Sequence, residues 1–169
     1  MTISDNLKWN HHIEDICTHG RKRLYLVRKL MQNNFETDYI IDLYSKEIRS
    51  ILEYGAVIFH FGLTDELSKK IEEIQRIFLR LLSNYVGVKF SYNEGCIFFM
   101  IEPIFSRRQT LCENFVKKAI KQDSHNLIHE RKVNRSLIGS RKYQEYTSHN
   151  QCSFDNPLIA LTRFANKLK

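Results

Sequence analysis

Along this 169-residue chain the apolar residues return at steps of three and four, and only 2 prolines and 6 glycines interrupt them. That period with so few breakers disfavours a fold of many short strands and turns, and it favours long helices. The clearest segment carries Leu67, Ile71, Ile74, Phe78 and Leu81 on one helical face. Thr64 opens it, and Asp65 and Glu66 stand in its first turn, where the helix dipole favours acids. Its polar face mixes Lys69, Lys70, Arg76 and Arg80 with Glu72 and Glu73, the pattern of a solvated surface.

Other segments follow the same rule. Ile13, Ile16, Cys17, Leu24, Val27, Leu30 and Met31 define a first helix, with Asn10 as the expected cap. Thr37 is the expected cap of a second, which runs to about Gly55 with Ile40, Ile41, Tyr44, Ile48, Ile51 and Leu52 inward. "GAVIFHFGLT" then reads as a buried apolar connection, in one reading a continuation of that helix, with His60 as a packed core histidine. "SYNE" at Ser91–Glu94 has capping-box form and predicts a short helix to about Met100, stopped by Pro103. A fifth helix is expected from near Ser106 to Lys121–Gln122, with Leu111, Phe115, Ala119 and Ile120 inside. The expected fold is therefore mainly α, a small bundle of about five helices over residues 1–122. Residues 123–169 are polar, basic and without period, the pattern of a loosely ordered tail. The tail ends in "PLIALTRFANKL", a candidate short helix.

A net charge of +7 and a pI of about 9.3 favour a polyanionic partner, nucleic acid above all. Arg21, Lys22, Arg23, Arg28 and Lys29 cluster in the second half of the first helix, and Arg21 and Arg28 share a face. Two readings stand: cations placed well toward a helix C-terminus, or a stripe that contacts phosphates. Membrane-surface binding through this helix fits less well, because the charges are mixed and one face belongs to a core. The apolar runs are too short to span a bilayer, and scattered Cys17, Cys96, Cys112 and Cys152 suit a reducing compartment. A soluble protein of the cytoplasm and nucleus is the expectation.

Chemistry is sparse. Adjacent His11 and His12 point to different sides of a helix, and His125 with His129 lacks the second cysteine a zinc finger needs beside Cys112. No phosphate-binding glycine loop and no nucleophile elbow occurs, and the aspartates are dispersed. Neither a catalytic set nor a cofactor or small-molecule site is evident in the residues.

One family pattern runs through the chain. "LKWNHHI" at Leu7–Ile13 resembles the L-x-W-x-x-H-I signature of jockey-type non-LTR retrotransposon reverse transcriptases. "RLYLVRKL" at Arg23–Leu30 resembles the helix that follows it. "LYSKEIRSILEYGAVIFH" resembles the Y-x-x-x-I-R-x-x-L-E-Y segment, with Phe59 in place of the usual Trp. "LSKKIEEIQRIFLRLL" resembles the L-E-x-x-Q block, with Ile71, Glu72, Gln75 and Arg80 in register and Ile77 where a basic residue is common. "SYNEGCIFFMIEPIFSRRQTL" resembles the segment that ends in an arginine pair, here Arg107 and Arg108. "NPLIALTRFAN" resembles the polyprotein terminus, with Asn156 replacing a serine.

This resemblance implies a thumb and the region beyond it, with Met1 just past the palm. The catalytic F/Y-x-D-D aspartates, and the Mg2+ ions they hold, would belong to the missing palm. The chain alone is then expected to be catalytically inactive and to need no cofactor of its own. Its implied role is to grip an RNA/DNA primer–template duplex through phosphates, without reading sequence. Arg21, Arg28 and Lys29 are the first candidates for these contacts, followed by Arg49, Arg107 and Arg108. Arg49 has an equal alternative, an ion pair with Glu53 at helical spacing. The other class of function is a captured or decayed fragment that acts as a helical protein-interaction module, or has no function. An apolar face left where the palm would pack favours that class.

Overall fold

The computed structural model describes residues 9–121. The expected tail at 123–169, its terminal helix, His125 and His129, and residues 1–8 lie outside the described residues. Helix α1 spans Asn10–Gln32, α2 Thr37–Leu43, α3 Ser50–Glu53, α4 Ala56–Phe59, α5 Asp65–Val86, α6 Tyr92–Phe98 and α7 Ile104–Lys121. No strand occurs among the described residues. The mainly α bundle expected from the periodicity is the observed fold.

Several caps differ from expectation by one position. Trp9, not Asn10, is the residue before α1, and its carbonyl accepts from Ile13 N at 2.9 Å. Glu36, not Thr37, precedes α2. Thr64 does cap α5, with Oγ1 accepting from Leu67 N at 3.4 Å, and Ser91 with Glu94 forms the capping box of α6. Gly87 ends α5 at φ 78°, and Val88 N donates back to Ser83 O at 3.1 Å, closing a Schellman-type turn. The last long helix begins at Ile104 rather than near Ser106.

The second helix is not a single α-helix. Between α2 and α3 the segment Tyr44–Arg49 is wound as a wider π turn. The sequence explains it. Ile40, Tyr44, Ile48 and Leu52 repeat at a strict four-residue step, and all four are fully buried. At 3.6 residues per turn, each step of four would carry such a row off its face by about 40°. The wider winding absorbs that drift, so the row stays on the core. Helix α3 then stops before Gly55, because Tyr54 turns to ψ 120° and Gly55 takes φ 75°. "GAVIFHFGLT" is therefore a short helix, α4, and a 3-10 turn at His60–Gly62, not a continuation. Ala56 and Phe59 are buried, while Ile58 is 43% exposed.

The core lies where α1 crosses α5 and the π segment with α3. Gly20 marks the crossing. A Cβ there would stand 3.3 Å from Leu52 Cδ2 and 3.4 Å from Ile74 Cγ2, so the absent side chain lets three backbones close in. Tyr44 stacks on Phe78, with ring centroids 3.9 Å apart and planes 8° from parallel. A smaller apolar cluster joins Val116 and Ala119 of α7 to Val57 and Phe61. Cys17, Cys96 and Cys112 are buried free thiols.

Candidate nucleic-acid interface

Helix α1 presents two unlike faces. Ile13, Ile16, Cys17, Leu24 and Val27 are buried, and Arg21, Lys22, Arg28 and Lys29 are exposed. From Cys17 to Gln32 the helix holds no carboxylate. Arg23 turns to the π segment and pairs with Glu47 Oε2 at 2.5 Å. Arg21 and Arg28, by contrast, form no ion pair among the described residues. Seven residues apart, they lie within about 20° of each other around the helix axis. Lys29 Nζ lies 5.4 Å from the centroid of the Tyr25 ring, and that ring is 57% exposed. Arg21 and Arg28 thus share one open side of α1, and Lys29, exposed as well, stands about 80° round the axis from Arg21.

The other three expected contacts are placed elsewhere. Arg49 Nε lies 3.6 Å from Glu53 Oε1, so the ion-pair alternative is the one adopted. Arg107 approaches the same carboxylate: Nε and Nη2 donate to its two oxygens, the second at 3.1 Å. Hydrogen bonding to Glu53 holds the Arg107 guanidinium more firmly protonated than usual. Arg108 is 0% exposed and donates from Nη2 to Ser68 Oγ at 2.7 Å. Burial pushes its pKa down, and its Nε and Nη1 have no hydrogen-bond partner among the described residues. The expectation that Arg107 and Arg108 both face a backbone phosphate is corrected here. Neighbours on a helix point about 100° apart; Arg107 faces α3 and Arg108 faces the start of α5.

A buried polar hub escaped the sequence reading. Gln75 is 0% exposed on the core face of α5. Its Oε1 accepts from Tyr44 Oη at 2.8 Å, and its Nε2 donates to Tyr92 Oη and to Glu102 O, each at 3.1 Å. Tyr92 Oη also donates to Glu72. Burial and that carboxylate raise the Tyr92 pKa, and burial raises that of Tyr44. Glu72 goes further: its two oxygens accept from Ile104 N at 3.2 Å and Phe105 N at 3.0 Å, capping α7 from another helix. The available signal was Gln75 itself, a polar residue at an inward step between Ile71, Ile74 and Phe78.

His12 and Trp9 pack on Phe59, with ring centroids 5.5 and 6.3 Å away. Burial lowers the His12 pKa. His60 is half-buried against Phe105 at 5.5 Å, and burial, with the Arg108 charge, lowers its pKa to about 4. Both behave as packed neutral histidines. Among the described residues, no group of three or more His, Cys, Asp or Glu side chains is arranged to hold a metal, and no helix is long and apolar enough to cross a membrane.

Fold and surface together define a helical bundle with one open basic helix face. No family model matches the chain, and neither a curated protein nor a solved structure matches it at a significant level.

Proposed function

We propose that this chain is a thumb-like helical domain that binds nucleic acid through phosphates, as a piece of a retrotransposon RNA-directed DNA polymerase whose catalytic palm lies elsewhere. The observation that carries the reading is the open face of α1: Arg21 and Arg28 share one exposed side, Lys29 is exposed next to it, and no carboxylate lies between Cys17 and Gln32. Arg21 and Arg28, which form no ion pair among the described residues, can neutralise phosphates without first breaking one, and counterion release then drives association. The family resemblance gives the class of ligand, an RNA/DNA duplex gripped without reading sequence. Arg107 ties α7 to Glu53 of α3, and Arg49 pairs with the same carboxylate.

A salt titration tests the reading. Affinity of the full chain for a mixed-sequence RNA/DNA duplex is expected to fall linearly with salt on a log–log plot. Arg21→Glu with Arg28→Glu is expected to weaken binding and flatten that slope, with helix content unchanged by circular dichroism. Unchanged affinity in the double variant would sink the proposal.

A helical protein-interaction module is the second reading, and one observation favours it. Ile97, Phe98 and Met100 are 79%, 57% and 93% exposed around α6, beside an open depression lined by Cys96, Ile101 and Pro103. An apolar surface of that kind suits a protein partner. Association through it would resist salt, which separates the two readings in one experiment.

A further inference from the structure

Tyr25 stands at the centre of the cationic face. Its contact positions on the helix are those three and four residues away, and they hold Lys22 and Arg21 on one side, Arg28 and Lys29 on the other. All four cations and the ring itself are exposed. A single exposed tyrosine is ordinary on a protein surface. One ringed by four cations, on a helix stretch without a carboxylate, has the make-up of a surface that stacks a base while its neighbours hold the flanking phosphates.

We infer that Tyr25 is a stacking platform for an unpaired base, so that the α1 face takes nucleic acid carrying a single-stranded segment in preference to a blunt duplex. The inference rests on the phosphate-binding reading above and adds to it the state of the strand. A duplex interior offers this face phosphates alone, since its bases are stacked on one another. An unpaired nucleotide also offers a free π-face to the ring. Lys29 Nζ stands over the ring, 5.4 Å from its centroid; a stacking base takes its place on that face, and the ammonium on its flexible stem turns to the phosphate of the same nucleotide. Charge complementarity selects the polyanion, and the central aromatic selects its single-stranded part.

The test uses the full chain and three labelled probes: a blunt duplex, the same duplex with a short single-stranded overhang, and the overhang sequence alone. The overhang duplex is expected to bind at least about fivefold tighter than the blunt one, the lower end of what one base–aromatic stack supplies. Tyr25→Ala should erase that preference, bringing overhang-duplex affinity down to that of the blunt duplex, whereas Tyr25→Phe should keep it. An exposed ring can be removed without opening the core, and circular dichroism checks this for each variant. Equal binding of blunt and overhang duplexes, or a preference that survives Tyr25→Ala, overturns the stacking role and leaves phosphate binding standing. Displacement of the oligonucleotides by polyglutamate at equal charge concentration also overturns it, because the face would then take acidic polymers in general. Binding to none of the probes at low salt overturns both readings.

Discussion

Glu53 at the end of α3 accepts two hydrogen bonds from the guanidinium of Arg107 on α7, 54 residues later in the chain. The carboxylate is 12% exposed and also faces Arg49, so one acid ties two helices together. Removing Arg107 leaves the acid with a single partner at 3.6 Å. Arg107→Ala is expected to destabilise the fold by about 1–3 kcal/mol, since a mostly buried acceptor loses its bidentate donor. Urea unfolding of the full chain measures it, and Arg107→Lys, which cannot fork onto both oxygens, should recover only part of the loss.

Arg108 is expected to behave in the opposite way. Among the described residues it is a buried charge with one hydrogen bond, to Ser68, and two nitrogens without partners. Such a group costs desolvation that its contacts repay poorly. Arg108→Met keeps most of the volume and is expected to leave stability within about 1 kcal/mol of the parent, or to raise it. A fall of several kcal/mol in the same unfolding assay would mean that the charge is compensated by Glu72 and Glu53 at longer range.

Gln75 joins Tyr44, Tyr92 and the Glu102 carbonyl inside the bundle. Gln75→Leu fills the same space but strands these groups, and it is expected to cost about 1–3 kcal/mol. Tyr44→Phe removes one of those bonds and keeps the stack on Phe78, so it should cost about 1 kcal/mol. Thermal melts of the two variants would rank them; a milder Gln75→Leu than Tyr44→Phe would contradict the hub.

His60 supplies a pH dependence. Its folded pKa of about 4 lies below the usual 6.5, because burial and the Arg108 charge disfavour its cation. The unfolded chain therefore takes up this proton first as the pH falls. His60 contributes stability that is complete above pH 6.5 and is lost between pH 6.5 and about 4. The loss is expected to be on the order of 1 kcal/mol, reduced by the solvent that reaches the ring. Unfolding midpoints measured over that range should flatten in His60→Phe relative to the parent.

Much of the fold was legible because it is local. Thr64 capping α5, the Ser91–Glu94 box and the inward row of α5 follow from spacing and short-range hydrogen bonding. The strict four-residue step from Ile40 to Leu52 was visible too, but a π turn and a drifting α-helix share that pattern until a core demands that the whole row stay buried. At the site, the shared face of Arg21 and Arg28 was legible because seven residues are close to two helical turns. The pairing of Arg49 with Glu53 was legible as one of two alternatives at helical spacing, but the fates of Arg107 and Arg108 were not, since Glu53 and Ser68 stand on other helices.

By itself the sequence determined the long helices α1 and α5, the caps of α5 and α6 and the shared face of Arg21 and Arg28, because each depends on residues within a few positions of one another. Tertiary structure alone decided which cations stay open. Glu53 claims Arg107 from 54 residues away, the junction of α5 and α7 buries Arg108, and Glu72 caps a helix that begins 32 residues beyond it. These are electrostatic pairings between distant segments, and the chain must pack before any of those partners can meet.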